Sequence, residues 1–225
     1  MHIEPGIVDG AKIALSYATA GGAGAYALIM AGKHIKERGA GSMLLGTSVT
    51  TVLALAFFEL LPHFPVGVSE VHLILGSTLF LLFGVAPAAF GLALGLLIQG
   101  MVLSPFDLPQ YGMNLTTLLV PLFALQYVAG RTIAPQTPYT ALRYRQAFTL
   151  SMTYQAGIVS WVGFWALYGE GFSAATVAGV ATFGAAYLLV IVLEPLADLA
   201  VLAGAKAIDR LRDQMWLEPR LFSPA

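Results

Sequence analysis

Hydrophobic residues in this chain form long runs that are separated by short polar connections. A helix needs about 20 mostly apolar residues to cross a bilayer. Runs of that length predict seven membrane-spanning segments, which lie at about residues 10–32, 42–62, 68–84, 86–104, 112–130, 146–168 and 173–205. Segments three and four are separated by little more than Gly84 and Pro87, which predicts a tight helical hairpin. The pattern therefore predicts an all-α membrane protein, a bundle of about seven transmembrane helices in a single domain over residues 1–225.

The composition agrees with this prediction and limits the chemistry. Of the 225 residues, 58% are hydrophobic and only 10% are charged, whereas a soluble domain carries about 25% charged residues. The chain has no cysteine, which excludes disulfides, thiolate metal ligands and cysteine nucleophiles. No basic patch with interleaved aromatic residues indicates a nucleic-acid partner. The lipid bilayer is the expected environment, and any metal has to be held by nitrogen or oxygen.

The positions of the basic residues predict the orientation of the bundle. With the N-terminus outside, ten of the eleven Lys and Arg residues fall on the cytoplasmic side, and Lys12 is the exception. This asymmetry is typical of multi-pass proteins of the cell (inner) membrane, and it makes residues 206–225 a cytoplasmic tail. Ala18-Thr19-Ala20 resembles a signal-peptide cleavage site, but the basic cluster at 33–38 follows the apolar stretch instead of preceding it. We therefore expect Met1 to be retained.

The first residues, Met1-His2-Ile3-Glu4-Pro5-Gly6, form a candidate metal-binding segment within residues 1–9. The Met1 amine, the His2 peptide nitrogen and the His2 ring nitrogen lie within one short chelate, after which Pro5 and Gly6 turn the chain. Three such nitrogens suit a divalent metal with a square-planar or tetragonal preference, such as Ni(II) or Cu(II), and Co(II) less strictly. A fourth donor has to come from elsewhere in the chain.

His72, near the outer start of the third predicted segment, is the candidate for that fourth donor. A histidine inside a membrane protein is costly without a partner, which makes it a functional candidate. On a helix, Ser69 and His72 would share one face and Glu70 would point elsewhere. The outer-face residues Asp107 and Glu170 are interpreted as ordinary loop residues.

Several of these residues together resemble the CbiM/NikM family, the substrate-capture (S) components of energy-coupling-factor transporters for cobalt and nickel. The resemblance is carried by Met1-His2-Ile3, the stretch with Gly67, Ser69, His72 and Gly76, then Gln99, and Gly112-Met113-Asn114 with Pro121. It covers residues 1–130 and fades in the last two segments, where Glu194 is a candidate match to a family glutamate. The chain departs from the family pattern at Glu70-Val71 and at Pro62-His63-Phe64-Pro65.

The resemblance implies a seven-helix bundle whose N-terminal segment plugs inward from outside and binds metal through the Met1 amine, the amide and ring nitrogens of His2, and the His72 ring. It implies an importer subunit without its own ATPase, with a link to cobalamin biosynthesis. Its expected partners are a transmembrane coupling (T) protein, two cytoplasmic ATPases and, for cobalt, a small extra membrane subunit. Co²⁺ or Ni²⁺ is then the transported substrate, with no organic cofactor. Four nitrogens in a plane disfavour tetrahedral zinc and oxygen-seeking magnesium, and the choice between nickel and cobalt stays open.

Other polar residues are assigned to supporting positions. Gln99 and Asn114 are expected to pin the inserted segment, and Ser69 flanks the His72 ligand. Glu70 is a candidate either to accept a hydrogen bond from an imidazole N–H or to attract the incoming ion. His63 is a candidate relay or spare ligand, or else an exposed loop residue. Glu194 lies one helical turn before Asp198, and the pair is either an interhelical lock or a proton-linked gate.

Two other functions stay open at this point. Glu59 and His63, spaced four residues apart, could join His72, Glu70 and Asp198 in the zinc site of a membrane-embedded metallohydrolase. Pro62 argues against this arrangement because it should end the helix between the first two residues. The second alternative is a metal-responsive or structural membrane protein without transport activity.

Overall fold

The computed structural model describes residues 3–211, with backbone alone for residues 210 and 211. These residues form seven helices: α1 (Ile13–Arg38), α2 (Ala40–Leu60), α3 (Gly76–Phe83), α4 (Val85–Val102), α5 (Tyr111–Thr132), α6 (Tyr144–Glu170) and α7 (Ala174–Leu211). An antiparallel hairpin of β1 (Phe64–Val66) and β2 (Ser69–Val71) lies between α2 and α3. Short 3-10 turns lie at Gly10–Lys12, Pro105–Gln110 and Tyr139–Ala141. The predicted all-α bundle of about seven helices is confirmed.

Five helical segments of residues 3–211 are long and apolar enough to cross a membrane, namely Gly10–Arg38, Ala40–Leu60, Val85–Val102, Pro105–Thr132 and Ala174–Asp209. Helix α6 has a comparable length of 27 residues. Its sequence is less apolar because it includes buried polar and aromatic residues such as Ser151, Tyr154 and Gln155. These side chains face the interior of the bundle, where they meet α7 and α3.

The third predicted segment does not form one membrane-spanning helix over residues 68–84. The chain instead forms β2, an extended stretch, and then the eight-residue helix α3. Non-helical backbone at membrane depth is tolerated only where protein covers it. That condition is met here because Ile74 in the extended stretch is fully buried and its N–H donates to Glu194 of α7. Gly76 allows the close fit, since a Cβ at this position would lie 2.3 Å from the ring of Tyr154.

The bundle has two chemically different ends. The N-terminal end holds the start of the chain, the hairpin and the connections α4–α5 and α6–α7. The opposite end holds the α1–α2 turn, Gly84 between α3 and α4, and the α5–α6 loop. Eight of the nine basic residues of the described chain gather at the opposite end, namely Lys33, Lys36, Arg38, Arg131, Arg143, Arg145, Lys206 and Arg210, and Lys12 at the N-terminal end is the exception. The predicted cytoplasmic Arg212 and Arg220 lie outside the described residues.

Helix–helix contacts inside the bundle include a few buried hydrogen bonds. Helices α2 and α4 pack closely along their length, and the Thr50 hydroxyl of α2 donates to the Pro87 carbonyl of α4 at 2.7 Å. Helix α5 is mostly buried and contributes polar residues near its N-terminus, among them Asn114 and Thr116. This part of α5 faces the N-terminal end of the bundle, where the candidate site lies.

Candidate metal-binding site

The N-terminal segment, residues 3–9, is docked into the N-terminal end of the bundle. The Ile3 N–H donates to Asn114 Oδ1 at 2.9 Å, and Ile3 forms an antiparallel bridge with Ser69 of β2. The Glu4 N–H donates to the Val68 carbonyl at 3.3 Å. Only 1% of Ile3 is exposed. The segment therefore extends the hairpin that precedes His72, and its backbone is fixed by α5 and by β2.

Close packing against α6 continues along the segment. Ile3 and Val8 form a buried cluster with Met113 and Trp165. At Gly169 of α6, a Cβ would lie 1.9 Å from the Ile7 carbonyl oxygen. A residue with a side chain at position 169 therefore cannot coexist with the docked segment.

The substitution Gly169→Ala should release the N-terminal segment. We expect a loss of about 1–3 kcal/mol in unfolding free energy, because the added methyl group overpacks the contact with Ile7. Amide hydrogen exchange of residues 3–8 should accelerate at the same time. The matched control is Gly184→Ala in α7, where a Cβ meets nothing within 4 Å. An unchanged exchange rate in Gly169→Ala would show that the segment is not docked against α6.

His72 is buried immediately after β2 and is hydrogen-bonded to Glu70. Its exposure is 1%, and its Nε2 lies 2.8 Å from Glu70 Oε2. The expectation that Ser69 and His72 share a helical face while Glu70 points elsewhere is wrong. In extended backbone alternate residues point the same way, so Glu70 and His72 lie on one side of the chain and Ser69 on the other.

Two aromatic rings confine the His72 ring. His63 stacks on it, with ring centroids 5.0 Å apart and an angle of 2° between the planes. Phe58 meets it edge-on, with centroids 6.2 Å apart. His63 is itself exposed, and its Nδ1 lies 3.2 Å from the Leu61 carbonyl. The stacked pair gives His72 a fixed ring orientation beside the solvent-facing His63.

Carboxylates surround the docked segment. Burial raises the pKa of Glu4, and the nearby carboxylates of Glu70 and Asp107 raise it further. Asp107 is only 8% exposed, so its interpretation as an ordinary loop residue is wrong, whereas Glu170 is exposed at the end of α6. No local signal in the sequence indicates that the turn containing Asp107 packs inward. The N-terminal end of the bundle thus concentrates negative charge and suits a cation.

The polar residues Gln99 and Asn114 have separate positions. Asn114 contacts the N-terminal segment, as described above. Gln99 is 3% exposed, and its Nε2 donates to Glu59 Oε1 at 2.7 Å. The Asn114 Nδ2 has no hydrogen-bond partner within the described part of the chain. Asn114 therefore offers a buried donor next to the start of the chain, whereas Gln99 serves the contact between α4 and α2.

The arrangement required for a metallohydrolase is not formed. Helix α2 ends at Leu60, and Leu61 is extended before Pro62, so Glu59 and His63 do not share a helical face. Glu59 is engaged by Gln99, and Asp198 accepts hydrogen bonds from Ser77 and Thr78 of α3. Between residues 3 and 211, no three His, Asp or Glu side chains are grouped so that they could hold a metal ion. The other predicted ligands, Met1 and His2, lie outside the described residues.

Comparisons with known proteins give one family and one fold. The family model described as cobalt uptake substrate-specific transmembrane region matches residues 2–211. This range includes α6 and α7, so the expectation that the resemblance fades after residue 130 is wrong. Among curated protein sequences, none is significantly similar to the chain.

Two solved structures have a similar fold. A truncated transition metal transporter is 15% identical, with a TM-score of 0.57, and the match covers 94% of this chain and 97% of that chain. A transition metal transporter is 16% identical, with a TM-score of 0.57, and the match covers 99% of this chain and all of that one. At such identities the structural match establishes the fold alone.

Proposed function

The chain belongs to the family of cobalt-uptake substrate-specific transmembrane regions, and we propose that it is the substrate-binding membrane subunit of an ATP-driven, energy-coupling-factor importer for Co²⁺ or Ni²⁺. It is a multi-pass membrane protein. In this proposal the N-terminus faces outward, the basic end faces the cytoplasm, and the metal is the transported substrate. The ATPase activity comes from partner proteins.

The observation that carries the proposal is the docking of Ile3 between Asn114 and Ser69. Two residues of extended chain reach at most about 7 Å. Ser69 pairs with Ile3 in an antiparallel bridge, and His72 follows Ser69 by three residues. The chain that precedes Ile3 therefore points in the direction in which the chain runs from Ser69 to His72. An extended continuation of the segment toward its N-terminus would therefore bring the Met1 amine and the His2 nitrogens within reach of the His72 ring, and both this placement and their role as ligands are part of the proposal.

The contact between Glu70 and His72 favours one ring nitrogen as the metal ligand. If the Glu70 carboxylate accepts the Nε2–H, the lone pair of the neutral ring is on Nδ1. A carboxylate that accepts the second ring N–H fixes the tautomer and raises the basicity of the ligand, as in many histidine metal sites. The proposed ligands are therefore the Met1 amine, the amide and ring nitrogens of His2, and Nδ1 of His72.

A set of four nitrogens that includes an ionised amide also determines which metals are accepted. It imposes a plane, which suits Ni(II) and Cu(II) and, less strictly, Co(II), and disfavours tetrahedral Zn(II). Mg²⁺ prefers oxygen ligands and retains its water. The surrounding carboxylates of Glu4, Glu70 and Asp107 would attract the cation before the nitrogens bind it.

The proposed partners bind at the basic end. A cavity of about 420 Å³ opens there and is lined by Arg38, Gly84, Gln126, Thr137 and Tyr139 among others. A transmembrane coupling protein is the partner expected to contact this end, and it would link the chain to two cytoplasmic ATPases. A small extra membrane subunit completes the cobalt version of the proposed complex.

Metal titration of the purified chain tests the proposal. The chain carries its affinity tag at the C-terminus, and intact mass confirms that Met1 is the first residue. We expect one Ni²⁺ or Co²⁺ per chain, bound more tightly than Zn²⁺ and unaffected by excess Mg²⁺. Cells should accumulate the metal only when the coupling protein and both ATPases are coexpressed. Absence of stoichiometric binding, or accumulation without the ATPases, would contradict the proposal.

Metal affinity should fall in mild acid. An α-amine ordinarily has a pKa of about 7.8 and an imidazole one of about 6.5, and both groups have to lose protons before they bind metal. Between pH 7.5 and 5.5 we therefore expect at least about a 100-fold loss of Ni²⁺ affinity. Isothermal titration at both pH values, corrected for the buffer, also measures the protons that are released. Equal affinity at the two pH values would contradict the ligand set.

Glu4 should give the opposite pH dependence in the metal-free chain. Its pKa is raised, so protonated Glu4 stabilises the docked segment at low pH, and this contribution is lost as the pH rises through the raised value. Amide exchange of residues 3–8 in the metal-free chain should therefore be slower in mild acid, after correction for intrinsic rates. The Glu4→Gln variant should remove this difference.

A further inference from the structure

We propose that Glu194 of α7 is a positioning residue for metal binding, because its carboxylate holds the backbone that carries His72. This inference rests on the proposed function of His72 as a ligand. It assigns a role to a buried acidic residue that does not belong to the ligand set.

The contacts of Glu194 point to the segment after His72. Its Oε1 accepts the N–H groups of Ile74 and, at 3.1 Å, of Leu75. Its Oε2 accepts the side-chain amide of Gln155 in α6. Tyr187 donates to Gln155 Oε1 at 2.9 Å. Glu194, Gln155 and Tyr187 have no measurable exposure. Their buried hydrogen bonds therefore fix the position of the Glu194 carboxylate.

Among the residues that the structure describes, the N–H groups that Glu194 accepts have no strand or helix partner. They lie in the extended stretch between β2 and α3, at the start of a helix only eight residues long. Inside a bilayer such groups need a partner from the protein.

Leu75 shows that the stretch is held in a conformation it would not adopt alone. Its φ is 53°, in the left-handed region, which a leucine rarely occupies. Such backbone persists only where surrounding contacts over-determine it. Glu194 contacts Leu75 on one side of this point, and Asp198 holds Ser77 and Thr78 on the other. His72 lies three residues before Leu75, so the strained stretch determines where its ring sits.

Three variants separate this role from general stability. Glu194→Met keeps the length of the side chain but removes the acceptor, and we expect Ni²⁺ affinity to fall about 10- to 100-fold. Glu194→Gln keeps an amide oxygen for the two N–H groups, and Gln155 can rotate to accept from the new amide. We expect it to stay within about threefold of the wild-type affinity. Thr50→Val removes the buried hydrogen bond from α2 to the Pro87 carbonyl. This control variant should leave the Ni²⁺ affinity unchanged.

Two further measurements report on the His72 segment directly. Amide exchange of residues 72–78 in the metal-free chain should accelerate in Glu194→Met and stay slow in Glu194→Gln and Thr50→Val. The d–d absorption of bound Ni²⁺ in Glu194→Met should resemble that of His72→Ala, because both lose the fourth nitrogen. If Glu194→Met does not fold, Gln155→Met should give a smaller loss of affinity and a smaller acceleration.

The results that overturn the inference are distinct from those that overturn the proposed function. Equal losses in Glu194→Gln and Glu194→Met would show that the charge matters and the hydrogen bonds do not. A folded Glu194→Met variant could keep the wild-type Ni²⁺ affinity and absorption spectrum. That result, or the same result in Gln155→Met when it is the variant used, would show that Glu194 does not position the His72 segment. If the wild-type chain bound no metal, the proposed function would fail. The amide exchange rates would still test whether Glu194 holds the backbone that follows His72.

Discussion

A four-residue extension, Gly-Ser-Gly-Ser, placed before Met1 should abolish tight metal binding. The extension converts the Met1 amine into a peptide nitrogen, which is not basic, and moves the new amine away from His72. We expect Ni²⁺ affinity to fall at least about 1,000-fold, which corresponds to about 4 kcal/mol. A single added residue is unsuitable, because its amine, two amides and the His2 ring would form a new chelate of four nitrogens.

The same four residues placed after Ala225 provide the matched control. This chain should bind metal as the unmodified protein does, since the tail lies at the opposite end of the proposed topology. Affinity is measured by competition with a chelator of known strength, at one pH for all chains. Tight binding by the N-terminally extended chain would exclude the Met1 amine as a ligand.

His72→Ala should produce the second large loss. The variant removes one of four proposed ligands and leaves the partly buried Glu70 carboxylate without the ring that it contacts. We expect at least about a 100-fold loss of affinity, comparable to or larger than the effect of disturbing the partners of a metal ligand. The visible spectrum of bound Ni²⁺ should shift as the plane of four nitrogens is lost.

His63→Phe is the control for this substitution. The phenyl ring can stack on His72 as the His63 ring does, at a centroid distance of 5.0 Å, but it has no nitrogen to offer. Affinity within about threefold of wild type would make His63 a packing partner of His72. A loss as large as that of His72→Ala would instead make His63 the ligand and contradict the proposed set.

The sequence was sufficient to predict most of the helices. Six of the predicted segments correspond to α1, α2 and α4–α7, because a long apolar run has few other structures available in a membrane. The prediction of the third segment as one helix was wrong, because an apolar run such as Val71-His72-Leu73-Ile74-Leu75 is equally compatible with a buried extended stretch and with a helix. What decides between them is Glu194, more than one hundred residues later, which accepts the N–H groups that a helix would have paired internally.

Candidate residues for the site could be proposed from the sequence, but their geometry could not be predicted. His72 could be identified because an ionisable residue at membrane depth needs a reason to be there. A hydrogen bond from Glu70 to an imidazole was one of the two roles expected for Glu70, but the geometry of this contact follows from the extended backbone that the helical pattern had concealed. Asp107 was missed for a related reason, because burial of its turn depends on tertiary packing. The bond from Ile3 to Asn114 joins residues 111 apart in sequence, and no local pattern encodes such a contact.

In the proposed site, the start of the chain and His72 bind one metal ion together. A crystal structure of the nickel-loaded protein, with anomalous data collected at the nickel absorption edge, measures this directly. We expect a single strong peak about 2 Å from His72 Nδ1, a normal metal–nitrogen distance, and equally close to the Met1 amine. A peak bound elsewhere, or one that His72 contacts while the Met1 amine lies apart, would contradict the proposed site.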